Sequence, residues 1–309
     1  MKIYAFGELI WDLYPGKKSL GGTALNFALH LKNLGADVAL LSAVGSDALG
    51  AEALSFLQSA GLSTDTLTRY DGESGTCRVE LQEGQPTYRL THDQAYEHIR
   101  VSPPLLESVI ACRQKSLYFG TLAQCGAVTR QSLRDLLQRT TWQEIFYDVN
   151  IRPGLYSREI VEESLRACTV LKCSREEAGI FGELGLSQHT PGREDRNPAD
   201  FCRELSERYA IRSVVVTLDR DGAFSYEAAE DRCCYAPAIQ GRVVSAVGAG
   251  DSFFAAYADA RLRGGSPEQC LANGVRLSSY VVGCLASVPA LPAALREELR
   301  AMSGKELRP

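Results

Sequence analysis

The stretch from Gly21 to Gly50 reads GGTALNFALHLKNLGADVALLSAVGSDALG, and its hydrophobic period changes twice. Residues 22–34 place apolar side chains at helical spacing, Val38 to Val44 form an apolar run of strand length, and 48–60 return to the helical period. The same alternation runs outward in both directions. Ile3 to Phe6, Leu117 to Phe119, Ile145 to Asp148, Val170 to Leu171 and Val214 to Leu218 read as strands. Residues 128–138, 158–168 and 198–209 read as helices. This rhythm predicts βαβ units, and hence a mostly parallel sheet with helices on both faces. Ligands of such sheets sit beyond the carboxyl ends of the strands.

One segment departs from the rhythm. Thr66 to Leu90, TLTRYDGESGTCRVELQEGQPTYRL, holds two or three alternating runs with turn signals at Asp71-Gly72 and Glu83-Gly84. It predicts an antiparallel ribbon outside the main sheet. Such a ribbon is either an ordinary edge hairpin or a lid that keeps water from a reacting group. The segment PGREDRNPAD at 191–200 reads as a polar surface loop.

The bulk numbers exclude several classes. A chain of 309 residues with 45% hydrophobic and 23% charged residues buries an ample core without disulfides or metal. A formal net charge of -5 argues against a general nucleic-acid binder. No apolar run approaches a membrane span, and no CxxC pair occurs among the ten cysteines. Reduced thiols in a cytoplasmic protein are the expectation, with Cys233-Cys234 at a strand position.

The chemistry concentrates in SAVGAGDSFFAAYADA, Ser245 to Ala260. Gly248, Ala249 and Gly250 leave the backbone bare where a helix begins, and free N–H groups plus the helix dipole make an anion site there. Asp251 follows at once. A carboxylate in a first turn is ordinarily a cap, yet beside an anion cradle it would repel its own ligand. Accepting the proton of an attacking hydroxyl gives it a role. No G-x-x-x-x-G-K-[ST] occurs, GAGDSF lacks the third glycine of a dinucleotide fingerprint, and there is no H-R-D or D-F-G set.

In these two motifs, and over nearly its whole length, the chain resembles the ribokinase-like (PfkB) carbohydrate kinases, closest to the fructokinases. Gly21 to Gly50 is similar to that family's glycine pair, small residue and Asn, followed by G-x-D-x-x-G. VGAGDSFFAAY is similar to its anion-hole motif. The resemblance implies a three-layer α/β/α fold over residues 1–309, with a mostly parallel central sheet and a small β-sheet lid from about 10–20 and 66–95. It implies Asp251 as the base and the backbone of Gly248 to Asp251, including Ala249 and Gly250, as the anion hole. Asp12, Gly22 and Asn26 would hold sugar hydroxyls. Asn150 and Arg152, in the D-x-N-x-R-like segment YDVNIRPGLY, would meet substrate or the migrating phosphate.

Departures fall on the nucleotide side. Ser174-Arg175-Glu176-Glu177 stands where the family has N-x-x-E, so Ser174 and Glu177 would serve the nucleotide, with Glu177 reaching Mg²⁺ through water. TLDRDG stands where it has T-x-G-x-x-G, so Thr217, Asp219 and Gly222 would lie along the phosphates, with Arg220 offsetting the charge of Asp219. Asn273 would flank the adenine. Ser245 replaces an Asp of the family's monovalent-cation site, which makes that cation doubtful. The implied activity is ATP-dependent phosphorylation of a small carbohydrate, fructose first, by a protein whose lids permit a homodimer. The alternative is a sugar-binding sensor with weak or no turnover.

Overall fold

The apolar runs become strands buried on both faces, which is why they carry no polar alternation. The computed structural model describes residues 1–82, 85–192 and 197–302. Its strands are β1 (Lys2–Phe6), β2 (Ile10–Tyr14), β3 (Lys17–Gly21), β4 (Asp37–Gly45), β5 (Leu67–Tyr70), β6 (Thr76–Gln82) and β7 (Gln85–Leu90). They continue as β8 (Lys115–Gly120), β9 (Ile145–Asp148), β10 (Val170–Ser174), β11 (Ser213–Thr217), β12 (Ala223–Glu227) and β13 (Arg232–Ala236). The helices are α1 (Thr23–Leu34), α2 (Ala48–Ser59), α3 (Pro103–Ala111), α4 (Ala127–Arg139), α5 (Arg158–Ala167) and α6 (Arg175–Glu183). Four more follow: α7 (Ala199–Tyr209), α8 (Ala249–Leu262), α9 (Pro267–Val282) and α10 (Ala293–Met302).

Nine strands form the main sheet in the order β13-β12-β11-β10-β9-β8-β1-β4-β5. From β11 to β5 all neighbours are parallel, while β12 and β13 add antiparallel at the other edge. Successive strand residues point to opposite faces. Ile3, Ala5, Tyr118, Phe146 and Val215 pack with α1, α2, α8 and α9. Tyr4, Phe6, Leu117, Phe119, Tyr147 and Val214 pack with the layer of α3 to α7. The result is three layers, helices on sheet on helices.

The helix expectations of the sequence match α1, α2, α4, α5 and α7. The segment from Thr66 requires a correction: Leu67–Tyr70 is β5, paired parallel with β4 at the edge of the main sheet rather than part of a ribbon. The turn signal at Asp71-Gly72 therefore marks a crossing between sheets. Only β6 and β7 form the ribbon, and they join β2 and β3 in a separate sheet of order β3-β2-β6-β7. The turn expected at Glu83-Gly84 lies outside the described residues. This small sheet is fastened to α2, with the Trp11 indole donating to the Leu49 carbonyl (3.1 Å) and Lys18 paired with Glu52. Cys233 and Cys234 lie in β13. Among the described residues no helix is long and apolar enough to cross a membrane.

Candidate active site

The site forms where α1 and α8 begin side by side at the carboxyl edge of the parallel strands. Gly248 precedes α8 with φ 82, a left-handed backbone, and a Cβ there would meet the Ser287 carbonyl oxygen at 2.7 Å. Glycine is therefore required both by conformation and by room. Behind it the Ala249 N–H donates to the Ala246 carbonyl (3.2 Å), while the N–H groups of Gly250 and Asp251 are left open at the start of the helix. Asp251, the third residue of α8, accepts a 2.7 Å hydrogen bond from the Asn26 amide. Asn26 lies one turn into α1, its own N–H donating to the Gly22 carbonyl. Glu8 supplies the cap that Gly22 lacks, accepting from the Thr23 N–H and hydroxyl. Behind both helices His30, pushed down to about 4 by burial, is neutral and donates to the Ser287 carbonyl.

Burial pushes the Asp251 carboxyl up to about 7, and the neighbouring Asp148 carboxylate adds to the rise. Asn26 and Lys172 pull the other way. Lys172 was not anticipated from the sequence. Its register partner across β9 and β10 is Asp148, and its Nζ lies 2.8 Å from Asp148 Oδ1. Asp148 is itself pushed up to about 6 by burial, and Lys172 is held above its usual value by Asp148 and Glu177 despite desolvation. The pair is thus carboxylate and ammonium at neutral pH. A Cβ on Gly250 would sit 3.0 Å from the same Nζ, so the ammonium lies directly under the bare first turn of α8.

A second group of expected residues gathers at the small sheet. Asp12 of β2 stands opposite Cys77 of β6. Burial raises the carboxyl of Asp12, and the charge of Arg152 draws it back. The Cys77 thiol is pushed up to about 11, by burial first and Asp12 second. Asn150 turns the chain after β9 with φ 32, a conformation Asn tolerates, and Arg152 emerges exposed beyond it. Tyr96 is fully buried and packs in the core; His92 is exposed. The Tyr88 side chain lies outside the described residues.

Of the residues expected to serve a nucleotide, Ser174 and Glu177 form the capping box that starts α6. Glu177 Oε2 accepts the Ser174 N–H and Oε1 the Ile151 N–H, which ties α6 to the turn carrying Asn150 and Arg152. Each oxygen keeps a second lone pair for a metal-bound water. No cluster of three His, Cys, Asp or Glu able to hold a metal occurs among the described residues. That donor set fits an ion such as magnesium carried mainly by phosphates and water, which needs only one or two carboxylates from the protein.

Thr217 ends β11 at the same edge. Asp219 follows at φ 51, and burial together with the nearby Glu176 carboxylate raises its carboxyl. Arg175 also serves this turn, donating to the Leu218 carbonyl and Asp221 and drawing the Asp219 carboxyl back down. Gly222 is glycine for room, since a Cβ would overlap the Ala236 carbonyl at 2.1 Å. Asn273 also requires correction. It is 1% exposed, and its amide donates to the Leu299 carbonyl, so it fastens α10 to α9 rather than standing open beside a nucleotide. Ser245 caps its own turn through the Val247 N–H, and its backbone is tied to Val282. Val243 (69%) and Leu285 (86%) leave apolar surface exposed on the two segments that flank Gly248.

The sequence matches the family described as pfkB family carbohydrate kinase over residues 6–294. The chain belongs to this family. It is 24% identical over 284 residues to the ATP-dependent 6-phosphofructokinase of Thermoanaerobacterium thermosaccharolyticum, covering 89% of this chain and 83% of that one. It is 25% identical over 300 residues to the 2-dehydro-3-deoxygluconokinase of Dickeya dadantii, covering 89% and 92%. The fructokinase of Xylella fastidiosa, solved with bound ATP, has the same fold, with a TM-score of 0.81 at 17% identity over 98% of this chain and 99% of that one. The three-layer core with its small second sheet is thus the architecture of pfkB-type, ribokinase-like kinases. What the family motifs did not disclose in this chain is Lys172 and Glu8, which lie outside the quoted patterns, and Arg175, which falls at an unspecified position of N-x-x-E.

Proposed function

We propose that this pfkB-family chain transfers the γ-phosphate of ATP to a hydroxymethyl group of a small carbohydrate, with fructose the first acceptor to test. The observation that carries the reading is the Asn26–Asp251 hydrogen bond at the open N-terminus of α8. It sets a carboxyl poised near neutrality against a group of backbone donors that bind anions. A general base is most effective when its pKa lies near the working pH.

In the proposed step the hydroxyl oxygen of the sugar attacks the γ-phosphorus while Asp251 takes its proton. The new O–P bond forms as the bond from that phosphorus to the β–γ bridging oxygen breaks, and ADP leaves. Asn26 orients Asp251. The open N–H groups of Gly250 and Asp251 receive the charge of the transferring phosphoryl oxygens, and Ala249 would exchange its bond to the Ala246 carbonyl to join them. Magnesium bound with the nucleotide would neutralise phosphate charge, with Glu177 holding one of its waters. Asp12 and Arg152 sit where the small sheet would close over a sugar, and closure would exclude water. The exposed apolar surface at Val243 and Leu285 suits the face of a purine. ATP as donor is supported by the ATP-dependent relative and by the ATP-bound fructokinase of like fold. The relatives' names span several acceptors, so the family motifs alone do not fix the sugar.

A sensor without turnover is favoured by one observation, the Asp219–Glu176 carboxyl pair at the phosphate end. The two readings part in a single assay. ADP release is followed with Mg²⁺ and ATP over fructose, ribose, a keto-deoxy sugar acid and a nucleoside. Release stimulated by one sugar is expected, and none with any acceptor would exclude the kinase reading.

A further inference from the structure

Lys172 stands out because a sheet buried on both faces is a costly place for an ammonium. Its β10 neighbours Val170 and Leu171 are wholly buried and apolar, and the Lys172 side chain is 8% exposed. Replacing a buried ion pair by apolar side chains is often neutral or stabilising. The Asp148–Lys172 pair is therefore poorly explained by stability alone. Its placement suggests why it is there. Side chains of a helix lean toward its N-terminus. A Cβ on Gly250 would lean the same way and meet Nζ at 3.0 Å. The ammonium thus lies on the side of α8 where its first-turn N–H groups are open.

We infer that Lys172 is a positioning residue for phosphoryl transfer: fixed by Asp148 beneath Gly250, it offsets the negative charge that collects at the first turn of α8. The inference rests on the kinase reading above. The charged groups facing the ammonium are Asp148 from β9, Glu177 from α6 and Asp251 from α8. Two carboxylates, Asp148 and Asp251, already crowd the site, and the phosphoryl oxygens bring more negative charge. A fixed cation lowers the cost of that approach without needing to move. It also explains the absence of a side chain at Gly250. Any Cβ would press on an ammonium that Asp148 prevents from swinging away.

A purely structural lysine would only neutralise Asp148, and the two roles give different kinetics. Asp148→Asn removes the need for neutralisation while leaving the ammonium in place. Adding Lys172→Gln then removes the ammonium alone. The double variant is expected to show kcat roughly 30-fold or more below Asp148→Asn, with the sugar KM within about threefold. Equal or higher turnover in the double variant would overturn the inference. Lys172→Arg covers the case in which either of these does not fold. It keeps the charge and the pair with Asp148 but replaces a compact ammonium by a wider planar group. A loss in kcat of about tenfold, with melting temperature retained, is expected. Wild-type turnover would overturn the inference. The unaltered protein is assayed alongside. Its inactivity on every sugar would fail the kinase reading, whereas activity that the variants share would fail only the role of Lys172.

Discussion

Asp251 is the proposed base, and it is buried among other carboxylates, so its chemistry and its cost to stability are one quantity. Its pKa is pushed to about 7 from an ordinary 3.8. Between those values the native protein holds a proton that the unfolded chain has released. Stability therefore falls as pH rises through that window, and the full penalty is present above about pH 7. Asp251→Asn lacks the penalty. Its melting temperature is expected to exceed that of the wild type at pH 8 by several degrees, and the gap to close toward pH 4. In the same series the wild-type kcat/KM should rise through about pH 7 as the base ionises. A gap that does not change with pH would mean that Asp251 is not the raised carboxyl. Asp251 was legible in the sequence because the bare glycine backbone and the carboxylate share one short stretch. Lys172 was not, because its meaning depends on the register that sets it opposite Asp148.

At the scale of elements, the start of α6 is tied to the turn that carries Asn150 and Arg152. Glu177 closes the capping box with Ser174 and holds the Ile151 N–H, so one carboxylate satisfies two backbone donors from different segments. Glu177→Ala should cost about 1–2 kcal/mol in urea unfolding, as for a lost cap with one further buried donor. Glu177→Gln keeps a single acceptor oxygen, should lose about half of that, and should raise the Mg²⁺ concentration needed for half-maximal rate. Wild-type stability in Glu177→Ala would show that these bonds contribute little. Elements also mark where pattern reading fell short. An edge strand of the main sheet and a strand of a separate ribbon alternate in the same way, so β5 could not be told from β6 before their pairing was seen. Asn273 had a plausible position in a helix, but which face meets α10 depends on tertiary packing.

For the molecule as a whole, the strand order does the assembling. It sets β9 beside β10 and packs α1 against α8 over one face, so that Asn26 and Asp251 come within a hydrogen bond. The layered fold was legible because two-sided burial leaves apolar runs at regular intervals. The identity of the sugar was not, because the proposed sugar contacts come from separate segments, Asp12 on the small sheet and Arg152 on the loop after β9, whose meeting is set by tertiary structure. The central claim is that the two ends of the chain make one phosphoryl-transfer site in which Asp251 is the base. The most direct measurement compares sugar-stimulated ADP release by Asp251→Ala and wild type, with sugar affinity read by calorimetry on both. Loss of kcat by roughly a thousandfold or more, with sugar affinity retained, is predicted. Turnover within about tenfold of wild type would contradict it.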